Sequence, residues 1–154
     1  KAEPVDFGFV PRAKDWGIGL LFYLCSLPII MPLALAIGFV QARTPQFGTR
    51  TLLAAVGTFL GFLLVVGLAE ELFFRGLLQP QLQKLTGQFT VALGLTSLLF
   101  GSVHLPYRAF PNWKFALLAT VAGVFYGLAY AKAKSIRAST VTHALMVTTW
   151  RVFF

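Results

Sequence analysis

The chain has 154 residues, of which 57% are hydrophobic and only 12% charged, with a formal net charge of +8. A soluble domain carries about 25% charged residues, and a chain of this size has no core large enough to hide so much apolar surface, so a bilayer must supply the rest. The positive charge sits in short loops between apolar runs, which points to anionic lipid head groups rather than nucleic acid as the counter-charge.

In chain order, residues 1–15 form a polar N-terminal segment with Pro4, Pro11 and the acids Glu3, Asp6 and Asp15, and residues 16–154 form a membrane-embedded domain. The chain begins at Lys1 without methionine or a signal-peptide pattern, which is expected of a fragment or processed form. Trp16 is placed to anchor at the interface. The run Gly17–Val40 exceeds the roughly 20 residues that a span requires, and Pro28 and Pro32 are expected to kink it. Its one cysteine, Cys25, reads as a small buried hydrophobe. A polar loop, 41–50, follows.

The second apolar helix runs from Thr51 past Leu68 into Glu70-Glu71 and continues as an amphipathic segment, bent at Pro80 and ending near Gly87. Phe89–Leu105 reads as the third helix, 106–113 as a loop, Lys114–Ala131 as the fourth helix, and Ala138 to the C-terminus as the fifth. The predicted fold class is therefore all-α, a polytopic membrane helix bundle of about five transmembrane helices around a polar intramembrane site. Gly57 and Gly61, and the ladder Ala119, Gly123, Gly127 and Ala131, have the spacing that lets membrane helices approach closely. Basic residues number seven on the side of the N-terminus (Lys1, Arg12, Lys14, Lys84, Lys132, Lys134, Arg137) against five opposite (Arg43, Arg50, Arg108, Lys114, Arg151), which favours the N-terminus inside.

The chemistry concentrates at Ala69–Gly76. Two adjacent carboxylates and Arg75 lie in one of the most apolar parts of the sequence, where an ionisable group costs roughly 2.5–3.5 kcal/mol on insertion scales and usually serves a function. Of five acidic residues and two histidines, only Glu70, Glu71, His104 and His143 are set in apolar surroundings. If helices two and three form a hairpin turning at Gly87, Glu70 lies 17 residues before the turn and His104 17 after it, so both sit about 25 Å from its tip. His143 reaches that level only if the 76–88 segment projects beyond the bilayer or lies along its surface.

Glu71 and Arg75, at i and i+4, can pair, which leaves Glu70 facing His104. A Glu and a His that share a water can make it a nucleophile, and His143 can stabilise the oxyanion formed on a carbonyl. The same Glu70, His104 and His143 could instead be three zinc ligands with water as the fourth. Residue chemistry alone leaves three readings open: hydrolysis, a buried ion-pair network, and proton or ion transport.

The residues also resemble a family. Glu70-Glu71 with Arg75 matches EExxxR, Phe100 with His104 matches FxxxH, and His143 with Val147 stands where HxxxN or HxxxD is expected. These are the motifs of the CPBP family, the CAAX prenyl protease type 2 and bacteriocin-processing (Abi) group, matched over roughly residues 51–150. The resemblance implies an intramembrane endopeptidase in which Glu70 and His104 activate water, His143 forms the oxyanion hole, and Glu71 and Arg75 support them. It implies either a metalloprotease or a metal-free glutamate mechanism, and the latter is preferred, with no cofactor. It also implies a peptide or protein substrate, with a prenylated C-terminal motif among the candidates, and residence as an integral multi-pass protein of a bacterial inner membrane or an organelle membrane. The departure is Val147, which cannot donate a hydrogen bond. Thr148 and Thr149 are the nearest substitutes, and without one the chain is a slow enzyme or a silent scaffold or immunity protein; a small proton-coupled transporter is the other alternative. Phe73 and Phe74 are candidates to line a substrate groove, Trp113, Trp150, Tyr107 and Tyr130 to anchor at the interface, and Arg151 to snorkel.

Overall fold

A helix segment that is buried on every side needs no apolar surface of its own, and the least apolar of the long helices of this chain occupies that position. The computed structural model describes residues 9–41 and 47–154, and every regular element in it is helical: α1 (Ala13–Ala36), α2 (Thr49–Leu64), α3 (Val66–Glu71), a π-helical stretch (Leu72–Leu78), α4 (Gln79–Thr86), α5 (Phe89–Ser102), α6 (Trp113–Ala133) and α7 (Ile136–Phe153). Helix α7 is buried without interruption from Ile136 to Ala144 and packs against α1, α2, α3 and α6. Its hydroxyls are satisfied within their own helix: Ser139 and Thr140 donate to Ile136 O and Thr142 to Ala138 O. Thr142 also reaches Gly19 O of α1 at 3.0 Å. A Cβ on Gly19 would lie 2.7 Å from the Val141 side chain, so the two helices meet only because that position is glycine.

Helices α2, α3, the π stretch and α4 form one continuous rod, Thr49–Thr86, which gives five rods among the described residues. Three of them, Ala13–Ala36, Thr49–Thr86 and Trp113–Ala133, are long and apolar enough to cross a membrane, and Phe89–Ser102 is apolar but shorter. The chain is thus an all-helical membrane-type bundle, and the first half of α7, Ile136 to Ala144, is surrounded by protein.

The element boundaries follow local chemistry. Gly87 takes φ +68° and ends α4 at the expected turn. The Asn112 side chain accepts from Phe115 N to cap α6, and Ser135 accepts from Arg137 N to cap α7. Pro80 falls at the start of α4, directly after the π stretch, whose wider turn accommodates a ring that would clash with an α-helical carbonyl four residues back. The third helix is shorter than expected. It ends at Ser102, and His104 lies in the turn beyond, its N–H bonded to Gly101 O.

Several expectations are corrected. Asp15 is not part of a solvated leader; it lies in the first turn of α1, 3% exposed, where it accepts from Arg137 Nε at 3.0 Å. Arg137 is therefore a buried structural cation and drops out of the count of loop charges. Glu3, Asp6, Lys1 and Arg43 lie outside the described residues. Cys25 is exposed, since it is off the stripe Asp15, Gly19, Ser26, Ile30 and Ala34 that α1 turns inward.

The two small-residue ladders also separate. A Cβ on Gly57 or Gly61 would meet open space, whereas one on Gly123 would meet Arg75, Phe100 and Ser97, and one on Gly127 would meet Leu93 and Gln79. Gly127→Val should loosen α6 from the α4–α5 hairpin and cost about 1–3 kcal/mol. Gly57→Ala should be neutral or stabilise by up to about 1 kcal/mol through helix propensity. Thermal unfolding in detergent micelles reads both.

Candidate active site

The polar centre is built where the second rod loses regularity. Val65 takes φ −127° and ψ −79°, breaking α2 from α3. Gly67 lies so close to Phe62 O that a Cβ there would be 2.6 Å away. Two turns on, the rod widens into the π stretch, a local form often found at functional sites. Glu70 and Glu71 sit between these two irregularities.

Glu71 and Arg75 are fully buried, and Arg75 Nη1 donates to Glu71 Oε1 at 3.1 Å. The guanidinium also donates from Nη2 to Gly123 O at 3.0 Å and lies over the Phe100 ring, 4.5 Å from its centroid. One helical turn later, Gln79 Nε2 donates to Gly127 O. Arg75 and Gln79 on one helix thus read the Gly123 and Gly127 carbonyls on another, and the glycines supply the backbone exposure that this requires.

The structure brings His143 into this network from α7. Its Nδ1 bonds Glu71 Oε1 at 3.0 Å, and its Nε2 lies 3.7 Å from Glu70 Oε2. A carboxylate accepts, so Nδ1 carries the proton. The expectation that Arg75 merely neutralises Glu71 is therefore incomplete: Glu71 also orients His143. The imidazole stacks on Tyr126 (4.6 Å between centroids, 16° between planes) and meets the edge of Phe100.

His104 arrives from the turn after α5. Its Nδ1 is 2.7 Å from Phe100 O, and a carbonyl can only accept, so Nδ1 is the protonated nitrogen and neutral His104 keeps its lone pair on Nε2. Phe100 and Phe115 pack against the ring edge to face.

Glu70, His104 and His143 line one cavity of about 360 Å³, together with Phe100 and Val147. The matched 17-residue spacings about Gly87 thus do place Glu70 and His104 on a common space, and His143 joins them. Glu71 and Arg75 stand behind it, away from the lining. The Glu70 side chain is 32% exposed, yet its Oε2 is enclosed and has no hydrogen-bond partner. Much of the remaining wall is apolar, with Ile30, Met31 and Ala34 from α1 and Leu118, Ala119 and Ala122 from α6.

Other side chains fall differently from expectation. Phe73 and Phe74 do not line the cavity; Phe73 is half exposed and Phe74 is buried edge-on against Phe100. Phe62 and Phe115 line it instead. Trp150, Tyr107 and Arg151, expected at the interface, form the far end of the wall. There Arg151 Nη2 donates to the Tyr107 hydroxyl at 3.0 Å, and that bond, with the charge behind it, holds this loop phenol below its ordinary range. Thr148 and Thr149 do not replace the donor missing at Val147, because their hydroxyls bond back to Ala144 O and Leu145 O. Among the described residues no group of three His, Cys, Asp or Glu side chains converges to hold a metal ion. Sequence reading missed Gln79 and Tyr126. The signal for Gln79 was its i+4 spacing from Arg75, and for Tyr126 a phenol in the middle of an apolar span.

Residues 51–149 match the family described as type II CAAX prenyl endopeptidase Rce1-like. Comparisons with curated proteins and with solved structures return no match. The matched segment covers more than half of the chain and contains all three motifs, including Val147. Its acid, arginine and two histidines meet at one buried centre in an all-helical membrane-type bundle, as the resemblance to the CPBP group implies, and the chain belongs to the Rce1-like family of type II CAAX prenyl endopeptidases.

Proposed function

We propose that this chain is an intramembrane endopeptidase that hydrolyses a peptide bond with water activated by Glu70 and His104. The observation that carries the reading is the Glu70 carboxylate. Its Oε2 is enclosed without a hydrogen bond, 3.7 Å from His143 Nε2, while the side chain keeps 32% of its surface on a cavity that His104 and His143 also line. Buried polar atoms are normally satisfied, and a part-exposed carboxylate that shares a cavity with two imidazoles has the chemistry of a seat for water.

In the proposed reaction a water held between Glu70 and the lone pair of His104 Nε2 gives its proton to Glu70. Its oxygen attacks the scissile carbonyl, whose electron pair moves onto oxygen. His143 donates to that oxyanion from Nε2. Since its Nδ1 already donates to Glu71, this role requires a proton on each ring nitrogen. Collapse of the tetrahedral species breaks the C–N bond, and Glu70 returns the proton to the leaving amine. Exclusion of bulk water by the apolar wall strengthens each of these interactions. No step requires a metal ion or cofactor. The substrate is a peptide or protein segment, and the apolar α1–α6 wall suits one bearing a prenyl chain near its C-terminus.

The test is cleavage of a peptide library by the detergent-solubilised protein, with and without chelator. The expected result is hydrolysis that survives chelation and disappears in His104→Ala. Loss of cleavage on chelation, restored by zinc, would refute the metal-free scheme. One observation favours a second reading, a catalytically silent scaffold or immunity protein: Val147 turns methyl groups to the cavity where the family motif has a donor. That reading requires no cleavage of any library peptide, even after Val147→Asn.

A further inference from the structure

Val147 leaves a chemical question: which group, besides His143, stabilises the oxyanion? The donors on the cavity wall are few. Nδ1 of His104 is committed to Phe100 O, and Nδ1 of His143 to Glu71. The Tyr107 hydroxyl accepts from Arg151, so it stands beside that guanidinium. Trp150 and Arg151 lie seven and eight residues beyond His143 on α7, about 10–12 Å along the axis. The hydroxyls of Thr148 and Thr149 are spent on their own helix.

One donor stands against His143 itself. Tyr126 lines the cavity, is 2% exposed, and stacks nearly parallel on the His143 ring. Its hydroxyl has no hydrogen bond among the described residues and is not fully enclosed. A phenol with an ordinary pKa near 10 is protonated at neutral pH and can donate. Its ring is fixed on one side by the imidazole and on another by the Arg75 guanidinium, 5.4 Å from the ring centroid. Such a donor is held in place before the reaction, the condition under which oxyanion stabilisation is strong. Next to it on α6 the wall has the small side chains of Ala122 and Ala119, which leave room for a substrate carbonyl before the larger Leu118 and Phe115.

We propose that the Tyr126 hydroxyl is a catalytic oxyanion donor that takes the place of the side chain missing at Val147. This rests on the hydrolytic reading above. Tyr126→Phe keeps the ring, its stack on His143 and its contact with Arg75, so the variant should fold, which thermal unfolding in micelles checks.

On the best-cleaved peptide of the library, Tyr126→Phe should lower kcat by about 10²–10³, the usual cost of one oxyanion donor, and leave KM nearly unchanged. Val147→Asn in the Tyr126→Phe background should recover at least tenfold of the lost kcat, a larger factor than the same change gives in the parent chain. A Tyr126→Phe form as fast as the parent, with Glu70→Gln inactive, overturns the Tyr126 role and leaves the hydrolytic reading intact. Large activation by Val147→Asn alone overturns it as well, because the oxyanion site would then have been empty. If neither the parent chain nor Val147→Asn cleaves, the hydrolytic reading falls and the Tyr126 role falls with it.

Discussion

Glu70→Gln should remain folded and lose hydrolysis by at least about 10²–10⁴, the range that a positioned proton acceptor supplies. The two halves of this expectation come from one geometry. Glu70 is partly open to the cavity and its enclosed oxygen makes no hydrogen bond, so no hydrogen bond of the fold is lost with its charge; the contact that changes is the 3.7 Å approach to His143 Nε2. The amide has nearly the same shape and cannot accept the proton of an attacking water. Its neighbour in sequence should behave in the opposite way. Glu71 is fully buried and its Oε1 takes hydrogen bonds from Arg75 and His143, so Glu71→Gln should lower stability as well as rate. Thermal unfolding in micelles beside cleavage of a library peptide separates the two carboxylates. A Glu70→Gln form that cleaves at the parent rate would remove Glu70 from the chemistry.

Arg75→Ala should be the most damaging single truncation in the molecule, costing about 3–5 kcal/mol, because it leaves Glu71 as a buried, half-paired charge. It also removes the donor to Gly123 O and the cation lying over Phe100, and with them the link between the π stretch and α6. Arg75→Lys keeps the charge but lacks the planar fork that reaches Glu71 and Gly123 together, so it should recover little of the loss. The double change Glu71→Gln with Arg75→Met removes both charges and keeps most of the volume. It should restore much of the melting temperature without restoring hydrolysis, since His143 then has no carboxylate to orient it. Equal activity in the double variant and the parent would show that the Glu71–His143 bond is dispensable.

Much of the bundle was legible because membrane helices announce themselves by composition. The apolar runs, the turn at Gly87 and the Glu71–Arg75 pair are all local, set by side-chain hydropathy, by a backbone position that favours glycine, and by i, i+4 spacing. The equal spacing of Glu70 and His104 about that turn was enough to predict a shared space, because a hairpin converts residue count into depth. The polar α7 shows the limit of composition. With Ser139, Thr140, Thr142 and His143 it reads as a weak span, and its place at the middle of the bundle appears only when α1, α2 and α6 are packed around it.

By itself, then, the sequence determined the all-helical, membrane-type class and set Glu70 and His104 at equal distances from one turn, since residue count and hydropathy are properties of single helices. Tertiary structure alone decided which nitrogen of His143 faces which carboxylate, that Asp15 and Gln79 are buried, that Gly123 and Gly127 pack while Gly57 and Gly61 do not, and that Tyr126 lies against His143. Those facts depend on the rotation of each helix about its axis. Rotation is fixed by contacts between rods far apart in the chain, and no local period in the sequence encodes it.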